Sequence, residues 1–357
     1  GSTGRPKGVR ITQRNLVNFV DANPKNPEIL GYTERGSVSL ALASITFDVS
    51  IMEEFIPLTH GLTICMATEE EIHNPLALAQ LMLENKVDLM SCTPSFLMNI
   101  IDLPQLQQAL AGVASYDLGA EAFPAALHDK IRAIREDAYI MNGYGPSEAT
   151  ISCTMAPITD PKNITIGKPA SNVRAQMLDP HNNVLPMGAL GELTICGAGV
   201  GSGYIGLEDK TRECFIRVDG LPAYKTGDLA QWTPEGTIRF RGRKDNQVKL
   251  RGLRVELGEI EAVINSFPDV LTSIVRVRGS ETNQFLAAYF TADKTIDKAE
   301  LTDFLSQKLT SYMVPGVLMQ LDAMPLTSNR KINEKALPEP EFSAMEREYS
   351  EPENELE

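Results

Sequence analysis

Between Ser37 and Tyr144 the chain alternates short apolar runs with longer amphipathic stretches, and no other feature limits its possible folds so tightly. The runs SVSLALAS, LTICMAT, VDLMSCT, SYDLGA and AYIMNGYG have the composition of strands buried on both faces. Between them lie PLALAQLMLENK and PAALHDKIRAIRED, whose apolar residues recur at helical spacing. Strands alternating with helices predict an α/β fold with a parallel sheet covered on both sides. Such sheets bind ligands at the carboxyl ends of their strands.

Past Ile158 the texture changes. From Ile164 to Gly206 the chain is rich in Gly, Pro and Asn around short β-like runs, which suits antiparallel strands and turns in a small β-barrel or sheet. A second change comes at GRKDNQVKLRG. Beyond it VELGEIEAVINSF reads as an amphipathic helix with Leu257, Ile260, Val263, Ile264 and Phe267 on one face. TSIVRVRG and FLAAYFTAD read as strands, and DKAELTDFLSQKL as a helix with Asp297 as its N-cap. These boundaries predict an α/β part over residues 1–157, a β-rich part over 158–244, a small α+β unit over 245–338 and an acidic linker over 339–357.

Charge and cysteine usage narrow the classes of function. Lys and Arg number 33 against 47 Asp and Glu, a net charge of -14 that repels a phosphate backbone and argues against nucleic-acid binding. A local loop could still hold one nucleotide, which needs only a few donors. Cys65, Cys92, Cys153, Cys196 and Cys214 are scattered without CxxC spacing and read as buried thiols of a reducing, cytoplasmic compartment. Four dispersed histidines argue against a metal cluster of protein ligands. No apolar run is long enough to span a bilayer, and no signal peptide is visible.

Several polar segments have chemistry to offer, each with a plainer alternative. GSTGRPKG can cradle phosphates through its glycine amides, the hydroxyls of Ser2 and Thr3, and Lys7, or be a flexible terminus. In NGYGPSEAT, Tyr144 could present its ring to a base and Glu148 could hold a metal, or the segment is a tight turn with a surface Glu. Asp228 in YKTGDLAQW could accept two ribose hydroxyls or simply occupy a turn. Lys331 in SNRKINEKALP is by itself one exposed lysine among many.

Taken in order, GSTGRPKG, FDVSIMEEF, NGYGPSEAT, GELTICGAGVGSGYIG, YKTGDLA, GRKDNQVKLRGLRVELGEIE and SNRKINEKALP resemble the core motifs of the adenylate-forming superfamily. Within it they are most similar to amino-acid adenylation domains of nonribosomal peptide synthetases. The resemblance covers essentially the whole chain. It implies the adenylate-forming enzyme fold, a large N-terminal domain of parallel sheet plus small β-barrel followed by a small α+β domain. It also implies that the chain starts inside the phosphate loop and lacks an upstream subdomain.

The resemblance implies an enzyme with two half-reactions. ATP activates an amino acid as aminoacyl-AMP with release of pyrophosphate, and the phosphopantetheine thiol of a carrier protein then takes the acyl group. Lys331 would bridge the carboxylate and α-phosphate, Glu148 would hold Mg²⁺, and Ser147 would assist. Ser2, Thr3, Gly4 and Lys7 would order the outer phosphates. Gly143, Tyr144 and Gly145 would meet the adenine, Asp228 and Arg243 the ribose, and Asp245 would be the hinge of the mobile unit. Asp48 would pair with the substrate α-ammonium, with Val49, Met52, Ser91, Asp117, Gly119, Gly143, Ile151 and Ser152 completing the pocket. There two glycines leave room and Asp117 favours a cationic or polar side chain, such as that of ornithine, lysine or arginine. LGAEA departs from the usual Gly-Gly-Glu. The acidic tail is similar to a linker towards a carrier domain, so the implied partners are that domain and a condensation domain. The alternatives are a stand-alone D-alanine or other acyl or aryl-acid ligase, whose TPSF-like segments the chain shares, and a non-catalytic scaffold that keeps the fold.

Overall fold

A computed structural model of the chain describes residues 7–244, 247–250, 253–279, 284–325 and 333–340. These divide into two units, one reaching to Val255 and one beginning at Glu256. The expected boundary and hinge at Asp245 lie outside the described residues.

In the first unit, the apolar runs become β1 (Val38–Ala41), β2 (Thr63–Met66), β3 (Leu89–Cys92), β4 (Ser115–Gly119) and β5 (Tyr139–Tyr144). They form a parallel sheet in the order β2-β1-β3-β4-β5, as the alternation predicts. Two antiparallel strands extend it, β6 (Thr154–Pro157) and β7 (Lys168–Pro169). The β-rich part therefore begins after β7 and not at residue 158, because β6 and β7 bond outward from β5 in the same sheet.

Both faces of this sheet are covered, and they differ in character. On one face Leu40, Met90, Tyr116, Leu118 and Ile140 meet the helices Pro75–Asn85, Gln107–Gly112 and Ala125–Ile134 in an apolar core. On the other, Ser39, Ser91, Ser115 and Asp117 are buried and polar, although Leu89 joins Ile29, Tyr32, Met52 and Ile56 in a smaller apolar cluster. The helices here are Gln13–Val20, Pro27–Thr33 and Val49–His60. Alternate residues of one strand face opposite sides, so a run that is apolar on average can carry a polar stripe beneath its helices. Side-chain caps set several helix starts: Thr12 accepts from Asn15, Asn74 from Leu76 and Ala77, and Thr93 from Phe96.

The second sheet is antiparallel, with β8 (Val173–Leu178), β9 (Gly191–Gly197), β10 (Phe215–Val218) and β11 (Leu221–Trp232) in the order β10-β11-β9-β8, and β12 (Ile238–Arg243) paired to β11. Among the described residues no pairing joins β8 to β10, and the antiparallel strands and turns expected here form this sheet. Irregular register around Gly227, with φ 75°, lets the long β11 serve different neighbours along its length. Two short strands, β13 (Gln247–Leu250) and β14 (Leu253–Glu256), pair with each other.

In the second unit, β15 (Val270–Arg278) and β16 (Phe285–Ala292) are antiparallel and β17 (Val317–Gln320) runs parallel to β16. The helix Leu257–Asn265 buries Leu257, Ile260 and Ile264, and Asp297 caps the helix Lys298–Ser306 by accepting from Ala299. Phe267 and Phe304 meet edge to face at 5.1 Å. No helix among the described residues is long and apolar enough to cross a membrane.

Candidate active site

A cavity of about 270 Å³ opens beside the carboxyl ends of β3, β4 and β5. Around it the structure gathers all nine expected pocket positions: Asp48, Val49, Met52, Ser91, Asp117, Gly119, Gly143, Ile151 and Ser152. Their source elements explain the grouping. Asp48 occupies the N-cap position of the helix Val49–His60 without capping it, and the first turns of that helix carry Val49 and Met52. Ser91 and Asp117 are direct neighbours across β3 and β4, as Gly119 and Gly143 are across β4 and β5. A Cβ on Gly119 would stand 2.8 Å from the Gly143 carbonyl oxygen, so the strands bring backbone to backbone there.

Ile151 and Ser152 reach the cavity because the loop after β5 folds back on itself. Cys153 donates its N–H to the Tyr144 carbonyl, and Thr150 Oγ1 donates to the Gly199 carbonyl at 2.6 Å. Gly145 permits this fold: a Cβ would lie 2.1 Å from the Ile151 carbonyl oxygen. Thr150 and Ile151 both take positive φ, 64° and 67°, an unusual backbone for β-branched residues. The strain falls between the two halves of the candidate site.

The expected nucleotide-binding side chains lie along the same loop and on the second sheet. Glu148, buried in the short turn Ser147–Ala149, accepts from the Tyr204 hydroxyl at 2.6 Å, and Tyr224 lies 3.3 Å from the same hydroxyl. Burial and the Glu148 charge raise the Tyr204 phenol far above its usual range, so it stays protonated and donates. Lys7 stands over the Tyr204 ring, 5.9 Å from its centre. Ser147 lines the cavity. Tyr144 is buried, and its hydroxyl donates to Asp228. Asp228 also receives Arg243 Nη1 at 2.6 Å from the facing position on β12. Gly143 and Gly145 line the cavity beside Tyr144. Ser2, Thr3, Gly4, Asp245 and Lys331 lie outside the described residues.

Four groups were not singled out in the sequence. Glu53 lines the cavity and accepts from the Leu42 and Ala43 amides at 2.8 Å each; burial nevertheless pushes its carboxyl up to about 7. Glu121, from the altered LGAEA segment, accepts from Ser95 N and Ser95 Oγ and so ties β4 to the start of the helix Pro94–Ile100. Glu28 and Tyr32, one turn apart on the helix Pro27–Thr33, are buried against the polar stripe of the sheet. A Glu in an apolar helical run is ordinarily a solvent-facing residue, so only the helix's placement over Asp117 shows its direction.

Comparison with known proteins agrees with this arrangement. Residues 1–205 match the AMP-binding enzymes and residues 259–331 the C-terminal domain of AMP-binding enzymes. Tyrocidine synthase 3 of Brevibacillus parabrevis is 36% identical over 363 residues, covering 100% of this chain and 6% of the synthase. The chain thus spans a small fraction of that relative's length. Among solved structures, holo-PA1221, a nonribosomal peptide synthetase protein containing adenylation and carrier domains, superposes with a TM-score of 0.83 at 26% identity, over 94% of this chain and 58% of that one. Holo-AB3403, a four-domain synthetase bound to AMP and glycine, gives a TM-score of 0.60 at 32% identity, over 95% of this chain and 25% of that one. A match over residues 1–205, more than half of the chain, with a matched C-terminal domain after it, is decisive: the chain belongs to the family of AMP-binding enzymes.

Proposed function

We propose that this chain activates an amino acid for peptide synthesis on a carrier protein. The amino-acid carboxylate attacks the α-phosphorus of ATP, pyrophosphate leaves, and the aminoacyl-AMP passes its acyl group to a phosphopantetheine thiol. One observation carries the reading: a single cavity lined by Asp48 and its eight companions adjoins the loop that holds Tyr144, Ser147 and Glu148. The binding of AMP and glycine by the related four-domain synthetase supports it.

The residues divide the work. Asp48 holds the α-ammonium, which leaves the carboxylate free to react. Asp228, held by Arg243 and Tyr144, grips the ribose hydroxyls, while Tyr144 and its flanking glycines meet the adenine. Ser2, Thr3, Gly4 and Lys7 order the outer phosphates. Joining two anions demands positive charge at the α-phosphate, and Lys331 supplies it, assisted by Ser147. The hinge at Asp245 then carries the small unit between half-reactions.

The donor set suits magnesium bound mainly through the nucleotide. Among the described residues no group of three or more His, Cys, Asp or Glu could hold a metal alone, and magnesium binds readily through one or two carboxylates plus substrate phosphates. Glu148, oriented by Tyr204, would hold it. When bound, the ion neutralises phosphate charge. The carrier domain, an adjacent condensation domain and a cytoplasmic setting for the five free cysteines complete the proposal.

Amino-acid-dependent exchange of labelled pyrophosphate into ATP tests it in the full-length protein. Exchange with one or a few amino acids is expected, and Lys331→Ala should lower it about 10²–10³-fold, the usual loss on removing a donor to a developing anion. Silence with every amino acid from folded protein would overturn the reading.

A further inference from the structure

The cavity deepens into a place where carboxyl groups outnumber their partners. Asp117 and Glu28 are 4% and 1% exposed. Among the described residues, no hydrogen bond of good geometry reaches Asp117 Oδ2, either oxygen of Glu28 or the Tyr32 hydroxyl; the two carboxyls have chiefly each other and Ser152 within reach, and no cation. Buried polar groups are rarely left unsatisfied, and two neighbouring carboxyls away from water are costly. Their convergence is local. A Cβ on Gly143 would stand 2.9 Å from Ser152 Oγ, 3.3 Å from Asp117 Oδ1 and 3.6 Å from Glu28 Oε1. Asp117, Gly143 and Ser152 line the cavity, and Glu28 lies behind them.

We propose that this deep end receives the cationic side chain of the amino acid substrate, with Asp117 meeting the ammonium or guanidinium group and Glu28 reinforcing it from the helix Pro27–Thr33. This names the substrate class for the activating reading above and rests on it. Val49, Met52 and Ile151 give the cavity apolar walls for a methylene stem. Asp48 lies nearer the surface than Asp117, so the α-ammonium and the side-chain cation each find a carboxylate at a different depth.

Glu28 acts as a positioning residue through Asp117. Burial raises both carboxyls above their usual range, and for Asp117 the Glu28 charge adds to the rise. The titratable groups around them only sharpen this. Tyr32 lies on the same helix as Glu28, Glu53 on the facing helix, Cys92 on β3 and Tyr139 on β5. Arg35 lies against the Tyr139 ring, 4.2 Å from its centre. Burial and mutual repulsion thus favour a proton on the pair more than on exposed carboxyls. An entering cation displaces a proton to solvent as the carboxyl ionises against it, so binding strengthens as pH rises.

The test is pyrophosphate exchange by the full-length protein with matched substrates: ornithine, lysine and arginine against norvaline, norleucine and citrulline. The cationic set should win by roughly 100-fold in kcat/KM, the scale of an unmatched buried charge. Asp117→Asn should abolish that preference. Glu28→Gln should raise KM for the cation more than it lowers kcat and flatten the fall of KM with rising pH, with Glu28→Asp recovering part of both. Both amide variants are isosteric and should unfold at or above the wild-type temperature. Equal or better use of the neutral amino acids, or a preference that survives Asp117→Asn, overturns the inference while leaving the activating reading intact. Silence with every amino acid overturns the activating reading. Calorimetric titration with the three cationic amino acids then decides the inference: binding with proton release sustains it, and no binding sinks it.

Discussion

Ala120 follows β4 with φ 66°, the left-handed backbone that glycine adopts without penalty. It stands in LGAEA, where the resemblance calls for a second glycine, and the neighbouring Glu121 still ties the turn to Ser95. The position needs the backbone shape whichever residue fills it. Ala120→Gly should thus raise unfolding stability by about 0.5–1 kcal/mol, since relief of left-handed strain exceeds the added entropy of the unfolded chain. Urea denaturation measures this, and a loss of stability would show that Ala120 makes contacts worth more than the strain. Glu53 gives a second prediction. Its carboxyl is at about 7 in the folded chain against an ordinary 4.5, so the folded state binds more protons across that window. Stability attributable to Glu53 is then greatest below about pH 4.5 and is lost as pH rises through about 7, by roughly 3 kcal/mol in total. Subtracting a Glu53→Gln curve from the wild-type curve isolates the effect; parallel curves would contradict it.

The longer elements were legible where one physical pattern governed them. All five parallel strands fall inside apolar runs, and Asp297 caps its helix, because burial on two faces and an N-cap each leave a local trace. The polar stripe of Ser39, Ser91, Ser115 and Asp117 left a weaker one, since it interrupts runs whose average stays apolar. Asp117 was legible by its position in a motif. Its neighbour Glu28 was not, because helix Pro27–Thr33 meets β4 only through the tertiary fold. The second sheet was legible as antiparallel strands and turns, which fix pairing but leave barrel and sheet both open. On that sheet, β11 and β12 face each other across the buried Asp228–Arg243 pair, and the irregular register lies beside it. Asp228→Ala removes the carboxylate to which both Arg243 and Tyr144 donate. It should cost about 3–5 kcal/mol of stability, the usual result of breaking a buried pair from one side, whereas Asp228→Asn should cost less. Thermal unfolding gives the first number, and ATP titration should show weakened binding for both variants. Undiminished ATP affinity in a folded Asp228→Asn protein would remove the residue from the ribose site.

At the scale of the whole molecule, the two units call for a division of labour that can be measured. The first unit holds the cavity, Glu148, Tyr144 and Asp228, while Lys331 belongs by sequence to the segment after Glu256. If the lysine serves only the step in which two anions are joined, the thiol-transfer step has no need of it. Its positive charge would even hold the adenylate in place by attracting the AMP phosphate. Supplied with preformed aminoacyl-AMP and a phosphopantetheinylated carrier, Lys331→Ala should therefore load the carrier within about threefold of the wild-type rate, a change below about 1 kcal/mol in the barrier. The same variant should lose pyrophosphate exchange by the 10²–10³-fold expected for a lost anion-stabilising donor. Gel-resolved loading with labelled acyl-adenylate, run beside the exchange assay, separates the two. Equal loss in both assays would mean that Lys331 contributes to adenylate binding or to the fold, and the assignment of one unit's charge to one half-reaction would have to be abandoned.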